Sequence, residues 1–202
     1  MIAIIDYGMG NIHSVQKALE SLGSSTVVVT SAEDVLKADK LVLPGVGAFD
    51  DAMNELENKG LVKPILDYVL TGKPFLGICL GLQLFFEKSQ EAQTKKGLGI
   101  IPGEVVRFSA ESGLKVPHMG WNGLCVHKKE CPLLEGVRDS EFVYFCHSFY
   151  VLPSDRSVSA AQTEYGTRFT SIVWRDNIYG VQFHPEKSQQ TGMKILRNFV
   201  HL

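Results

Sequence analysis

Lys73-Pro74-Phe75-Leu76-Gly77-Ile78-Cys79-Leu80-Gly81-Leu82-Gln83-Leu84-Phe85 is the stretch that decides the fold. It follows the turn residues Thr71-Gly72, and Phe75 to Ile78 is a short apolar run of the kind that forms a buried strand. After Cys79 the period changes. Leu80, Leu84 and Glu87 fall at helical spacing, as do Cys79, Gln83 and Phe86. Cys79 therefore stands where a strand turns sharply into a helix. Gly77-x-Cys79-x-Gly81 has the frame of a nucleophile elbow, with cysteine in place of serine. Such a turn strains the backbone and brings it close to its neighbours, so a Cβ on either side would obstruct it. A thiol there faces the positive end of the helix dipole and several unpaired N–H groups, which favour the thiolate. The N–H of Leu80 is placed to donate to an oxyanion. Cys79 is the candidate nucleophile. A core cysteine, the common state of a free thiol, would not require the two flanking glycines.

Towards the N-terminus, strands and helices alternate. Met1–Ile5 reads as a strand, followed by a helix with Val15, Ala18, Leu19 and Leu22 on one face and Gly23 as its stop. Thr26–Thr30 is a second strand, and Ser31 caps a short helix in a Ser-x-x-Asp frame. Lys40–Leu43 is a third strand. Asp50 to Leu70 carries one helical period through Met53, Leu56, Leu61, Ile65 and Val69. This order predicts an α/β fold with an open, mostly parallel central sheet flanked by helices. Ligands of such sheets bind beyond the carboxyl ends of the strands. Pro44-Gly45-Val46-Gly47 and Cys79 both fall at those ends, so an N–H of the glycine loop is a candidate second oxyanion donor. Gly8-x-Gly10 after the first strand invites a dinucleotide reading, but the third glycine of that fingerprint falls at His13.

Towards the C-terminus, Glu87–Lys96 is polar and reads as a loop. The second half is richer in strands: Gly103–Phe108, Gly123–Val126, Glu141–Phe145, Ser157–Thr163, Phe169–Trp174 and Ile178–Phe183. Met193–Val200 is a closing helix. With no repeat or linker, residues 1–202 read as a single domain. Ile178–Phe183 runs into His184-Pro185-Glu186. Pro185 opposes a helix and biases His184 towards an extended conformation, in which residues i and i+2 face one side. The Glu186 carboxylate then accepts from one imidazole nitrogen and leaves the other for a thiol, a Cys-His-acid arrangement. Cys146-His147 makes a poor dyad, because adjacent strand residues face opposite ways. Cys125, His127 and Cys131 provide three metal ligands with no fourth nearby, so no metal site is expected.

Composition bounds the rest. At 45% hydrophobic and 21% charged residues, the chain is not a disordered one. A net charge of -2 points to neither a nucleic-acid nor a membrane-surface partner. No apolar run is long enough to span a bilayer. Met1–Ile5 meets Asp6 without a basic lead, unlike a signal peptide. Four cysteines without a disulfide-like spacing suit a reducing, cytoplasmic compartment.

Gly77-Ile78-Cys79-Leu80-Gly81-Leu82-Gln83 together with His184-Pro185-Glu186 resembles the triad (class I) glutamine amidotransferases. Asp6–Asn11, Pro44–Gly47, Pro117-His118-Met119-Gly120-Trp121-Asn122 and His184–Ser188 resemble the branch that supplies a cyclase of histidine biosynthesis. The resemblance implies hydrolysis of L-glutamine without a cofactor. Cys79 would be the nucleophile, His184 the base, Glu186 its orienting group, and Leu80 with the Val46–Gly47 peptide the oxyanion hole. That peptide is implied to reorient on activation. Gln83, Gly47, His147, Ser148 and Phe149 would contact glutamine. The implied partner is a (β/α)8-barrel cyclase that receives ammonia, bound as a heterodimer, with Asn11, Met119, Trp121, Tyr144 and Lys187 at the interface or gate. Amidotransferase subunits for anthranilate or pyridoxal phosphate, and a non-catalytic assembly protein, are the competing readings.

Overall fold

The computed structural model describes residues 1–109 and 113–202. The first half alternates as expected: β1 (Ile2–Ile5), α1 (Ile12–Ser21), β2 (Thr26–Val29), α2 (Ala32–Lys37), β3 (Lys40–Gly45), α3 (Phe49–Asn58), α4 (Val62–Val69), β4 (Phe75–Cys79) and α5 (Leu80–Gln83). Strands β5 (Lys88–Ser89), β6 (Gly103–Arg107), β7 (His118–Gly123), β8 (Cys125–Val126), β9 (Phe142–His147) and β10 (Phe149–Pro153) follow. The chain ends with β11 (Ser159–Tyr165), β12 (Thr167–Arg175), β13 (Ile178–Val181) and α6 (Gln189–His201).

The main sheet runs β2-β1-β3-β4-β13-β12-β10-β6-β5, with β11 on β12 and β8 on β11. From β2 to β13 every pairing is parallel. Beyond β13 the pairings are antiparallel except β5 with β6. β7 and β9 form a separate antiparallel ribbon.

All of β1 is buried because both of its faces are covered, as parallel strands require. Ala3, Ile5 and Leu43 face Val35 of α2, Met53 and Leu56 of α3, and Ile65 and Tyr68 of α4. Ile2, Ile4 and Val42 face Val15 and Leu19 of α1 and Ile195, Leu196 and Phe199 of α6. Burial stabilises by about 1.5–3 kcal/mol per large apolar side chain. Three such residues on α6 outweigh the ~1 kcal/mol cost of Gly192 within it.

Several expectations need correction. The period over 50–70 covers two helices. Gly60, at φ 64°, ends α3 with its N–H on Glu57 O and the Leu61 N–H on Leu56 O, the paired bonds of a Schellman stop. The helix after Cys79 is only α5, not a run to Glu87. The carbonyls of Leu84, Phe85 and Phe86 accept from Leu98, Ile101 and Gly99, so a later segment takes the bonds that helix continuation needs. Residues 87–96 are not wholly loop, since Lys88 and Ser89 pair with β6. His118–Gly123 is a strand absent from those expected, and it forms because β9 pairs along its whole length. β10 follows β9 almost directly, and α6 begins earlier than Met193.

Candidate active site

Strand register brings the three sequence segments together. Gly45 pairs with Cys79, and Ile78 pairs with Val181, so the Pro44–Gly47 loop and His184 lie on either side of Cys79 at the carboxyl edge of three parallel strands. Cys79 has φ 55° and ψ -109°, a left-handed conformation that a non-glycine residue holds only under constraint. The constraint is close packing. A Cβ on Gly81 would stand 1.8 Å from Leu43 O. Gly77 and Gly180 are register partners beneath Leu82, and a Cβ there would stand 2.8 Å from Leu82 N or 2.3 Å from Leu82 Cδ1. The elbow helix thus lies on a floor cleared of side chains.

His184 Nδ1 lies 3.0 Å from Glu186 Oε1, with the side chains only 5% and 1% exposed. Cys79 and His184 both line one cavity. Burial opposes the imidazolium, but the interactions with Cys79 and Glu186 outweigh it and raise the His184 pKa to about 10. Pro185–Lys187 is a 3-10 turn rather than an extended segment. Proline is excluded from helix interiors but tolerated in a first turn, where its missing N–H is not needed. His184 itself is extended, and the turn still brings Glu186 back to it. Ser188 Oγ donates to His184 O at 2.6 Å and accepts from Tyr144 N at 2.9 Å, while His184 N–H donates to Tyr144 O at 3.0 Å. These bonds tie His184 to β9.

The raised pKa gives a signed prediction. Relative to an unfolded value near 6.5, a folded value of about 10 contributes stability that is fully present below pH 6.5 and is lost as pH rises through about 10. The melting-temperature difference between the wild type and His184→Gln should therefore shrink from pH 6.5 to 10. A difference that grows over that range would contradict the ion pair.

A cavity of about 350 Å³ opens over Cys79. Val46, Gly47, Cys79, Leu80 and Gln83 line it together with His147, Ser148, Phe149 and His184, and Tyr144, Cys146 and Lys187 are also on the wall. Gln83 does not present a free amide: its Nε2 donates to Phe149 O at 3.0 Å and to Gln182 Oε1 at 3.2 Å. Gln182 Nε2 in turn reaches Cys79 Sγ at 3.8 Å. Glu91 also lines the cavity, where burial raises its carboxyl pKa against a hydrogen bond from Phe49 N–H. Its sequence neighbourhood is aperiodic and polar, so only the fold reveals it. A larger cavity of about 760 Å³ is lined by Val126 and residues between 129 and 139. Burial pushes the thiol of Cys131 on its wall up to about 11. All four cysteines are free.

Asn11, Met119 and Trp121 do not line the cavity over Cys79. Asn11 caps α1 without a side-chain hydrogen bond. Met119 and Trp121 are 61% and 45% exposed on the outward face of the β7–β9 ribbon, with Phe142 at 57%. Trp121 is opposite Tyr144 in register, their rings 6.0 Å apart. It is a surface residue, not a core one.

The model of the family described as glutamine amidotransferase class-I matches residues 3–202. The chain belongs to this family. A Syntrophotalea carbinolica protein named imidazole glycerol phosphate synthase subunit HisH is 56% identical over 204 residues, covering 98% of each chain. An Aquifex aeolicus protein of the same name is 54% identical, covering 97% of this chain and 94% of its own. Among solved structures, PurLQS from Thermotoga maritima matches with a TM-score of 0.78 at 19% identity, covering 99% of this chain and 97% of that one. The glutaminase domain of Trypanosoma brucei CTPS, solved with bound acivicin, has a TM-score of 0.70 at 14% identity, covering 99% and 90%. These structural likenesses show the same fold at low sequence identity. No helix among the described residues is long and apolar enough to cross a membrane.

Proposed function

We propose that this chain is the glutaminase subunit of an imidazole glycerol phosphate synthase. It hydrolyses L-glutamine to glutamate and ammonia and delivers the ammonia to a (β/α)8-barrel cyclase, which makes imidazole glycerol phosphate and AICAR from PRFAR. The observation that carries this reading is the buried Cys79–His184–Glu186 line at one cavity, in a chain 56% identical to a HisH subunit.

In the first half-reaction the Cys79 thiolate attacks the side-chain amide carbon of glutamine, forming an S–C bond. The imidazolium of His184 passes its proton to the departing nitrogen, and the C–N bond breaks to release ammonia. In the second, His184 takes a proton from water, the hydroxyl oxygen adds to the thioester carbon, and the S–C bond breaks to give glutamate. Glu186 holds the ring throughout. Leu80 N–H and an N–H of the Val46–Gly47 peptide stabilise the oxyanion in both steps. The half-buried Glu91 carboxylate suits the α-ammonium of glutamine, and the main chain of His147–Phe149, backed by Gln83, suits its carboxylate end. Glutamate formation should rise when the cyclase and its nucleotide substrate are added. A chain that produces no glutamate with both present refutes the reading.

The exposed ribbon face supports a docking role for Met119, Trp121 and Tyr144, and Lys187 lies with Tyr144 on the cavity wall. Truncating a buried aromatic anchor commonly costs ~2 kcal/mol or more of binding, against ~0–1 kcal/mol for a lysine in a solvated ion pair. Trp121→Ala should therefore weaken the cyclase complex by at least about 30-fold, and Lys187→Ala by much less. Titration calorimetry of both variants tests the order. Wild-type affinity in Trp121→Ala would move the interface elsewhere.

A further inference from the structure

Beneath the exposed ribbon lies a pair of imidazole rings that take no proton in the steps described above. His118 of β7 and His147 of β9 are register partners, 3% and 6% exposed. His147 Nδ1 lies 2.8 Å from Phe149 O, and a carbonyl only accepts, so Nδ1 carries the proton. Burial holds both rings neutral, pushing His118 down to about 4 and His147 to about 3. His147 Nε2 is then bare, and His118 Nδ1, 3.0 Å away, must donate to it. That leaves His118 Nε2 bare to accept from Asn122 Nδ2 at 3.3 Å. The Asn122 amide orientation is set by Nδ2 donating to Glu164 O at 2.9 Å and Oδ1 accepting from Gly123 N at 2.8 Å. Every proton points the same way, from Asn122 through His118 and His147 to the Phe149 carbonyl. From the other side, that carbonyl accepts from Gln83, whose amide leads through Gln182 to the Cys79 sulfur.

We propose that His118 is a positioning residue for glutamine hydrolysis: through His147 it holds the main chain of residues 147–149 in register with Gln83, fixing the cavity wall that faces Cys79. The proposal rests on the glutaminase reading above. His118 lies outside the cavity lining. Its ring stacks on Tyr165 at 4.0 Å and on Phe145 at 4.7 Å, so another aromatic ring fills the same space. What phenylalanine cannot supply is the donor at one ring nitrogen and the acceptor at the other. The chain of bonds also begins on the strand whose opposite face carries Met119 and Trp121, which places the ribbon in mechanical contact with the substrate wall.

Two measurements test this. Long-range 1H–15N spectra of the full chain should show both rings as Nδ1–H tautomers with bare Nε2. An Nε2–H tautomer at His118 would overturn the proposal. In the cyclase complex, His118→Phe should raise the KM for glutamine about tenfold, with kcat within about threefold of wild type, as expected for loss of one buried donor. His118→Asn keeps a donor near the Nδ1 position and should return KM to within about threefold. Equal impairment by Phe and Asn would make His118 a space-filling residue and overturn the proposal, as would an unchanged KM in His118→Phe. If His118→Phe fails to fold, Asn122→Ala removes the donor at the partly exposed end and should raise KM about threefold, with an unchanged value counting against the chain. Absence of glutamate formation by the wild-type complex would instead refute the glutaminase reading, and the tautomer measurement would stand apart from that failure.

Discussion

Cys79→Ala should abolish glutamate formation while leaving the fold and cyclase binding intact. Loss of a triad nucleophile removes on the order of 10⁶ in rate in a well-studied hydrolase, about 8 kcal/mol of transition-state stabilisation. The structural cost is small by comparison. The side chain is short, and the bond it receives from Gln182 is a long one, at 3.8 Å to sulfur. The cyclase in the variant complex should still turn over when ammonium salts are added, because only the ammonia source has been removed. A diazo ketone analogue of glutamine should label the Cys79 peptide of the wild type and nothing in the variant. Labelling at Cys146, which also lines the cavity, would reassign the nucleophile.

Gly81→Ala should be the most damaging single methyl group in the chain. The added Cβ would lie 1.8 Å from the carbonyl oxygen of Leu43, a main-chain atom of a central strand that has no rotamer to change. Relief requires lifting α5 from the sheet, which also displaces Cys79 and the Leu80 N–H. Substitutions this disruptive cost ~4 kcal/mol or more, lowering the melting temperature by roughly 8–16 °C at 2–4 °C per kcal/mol for a chain of this size. Gly72→Ala is the matched control. Gly72 has φ 73° but open space around its Cβ position, so only the left-handed backbone penalty of ~1–2 kcal/mol applies. Thermal melts of the two variants separate crowding from conformation. Similar melting temperatures would mean that α5 moves without resistance.

The proposed triad was legible in the sequence because its parts are local. Gly77 and Gly81 flank the nucleophile within one turn of chain, and Glu186 follows its histidine by two residues. The alternation of strands and helices over residues 1–88 was legible for a related reason, since an apolar period reports which face of a segment is buried. That signal is blind to what the segment touches. It ran on across Gly60, where a Schellman stop divides two helices, and beyond Gln83, where carbonyls are taken by residues 98–101. It missed β7, whose polarity alternates irregularly and whose strand character comes from pairing with β9.

The sequence by itself therefore marked Cys79 as the candidate nucleophile, His184 with Glu186 as its candidate base and orienting carboxylate, and the parallel α/β order, all of which rest on neighbours within a few residues. Only the tertiary structure decided that Gly45 lies beside Cys79, that Glu91 enters the cavity, and that His118 reaches the Phe149 carbonyl through His147. Those relations depend on strand register and on hydrogen bonds between distant segments. A register shift of one residue would turn each inward side chain to the opposite face, and no local pattern encodes that choice.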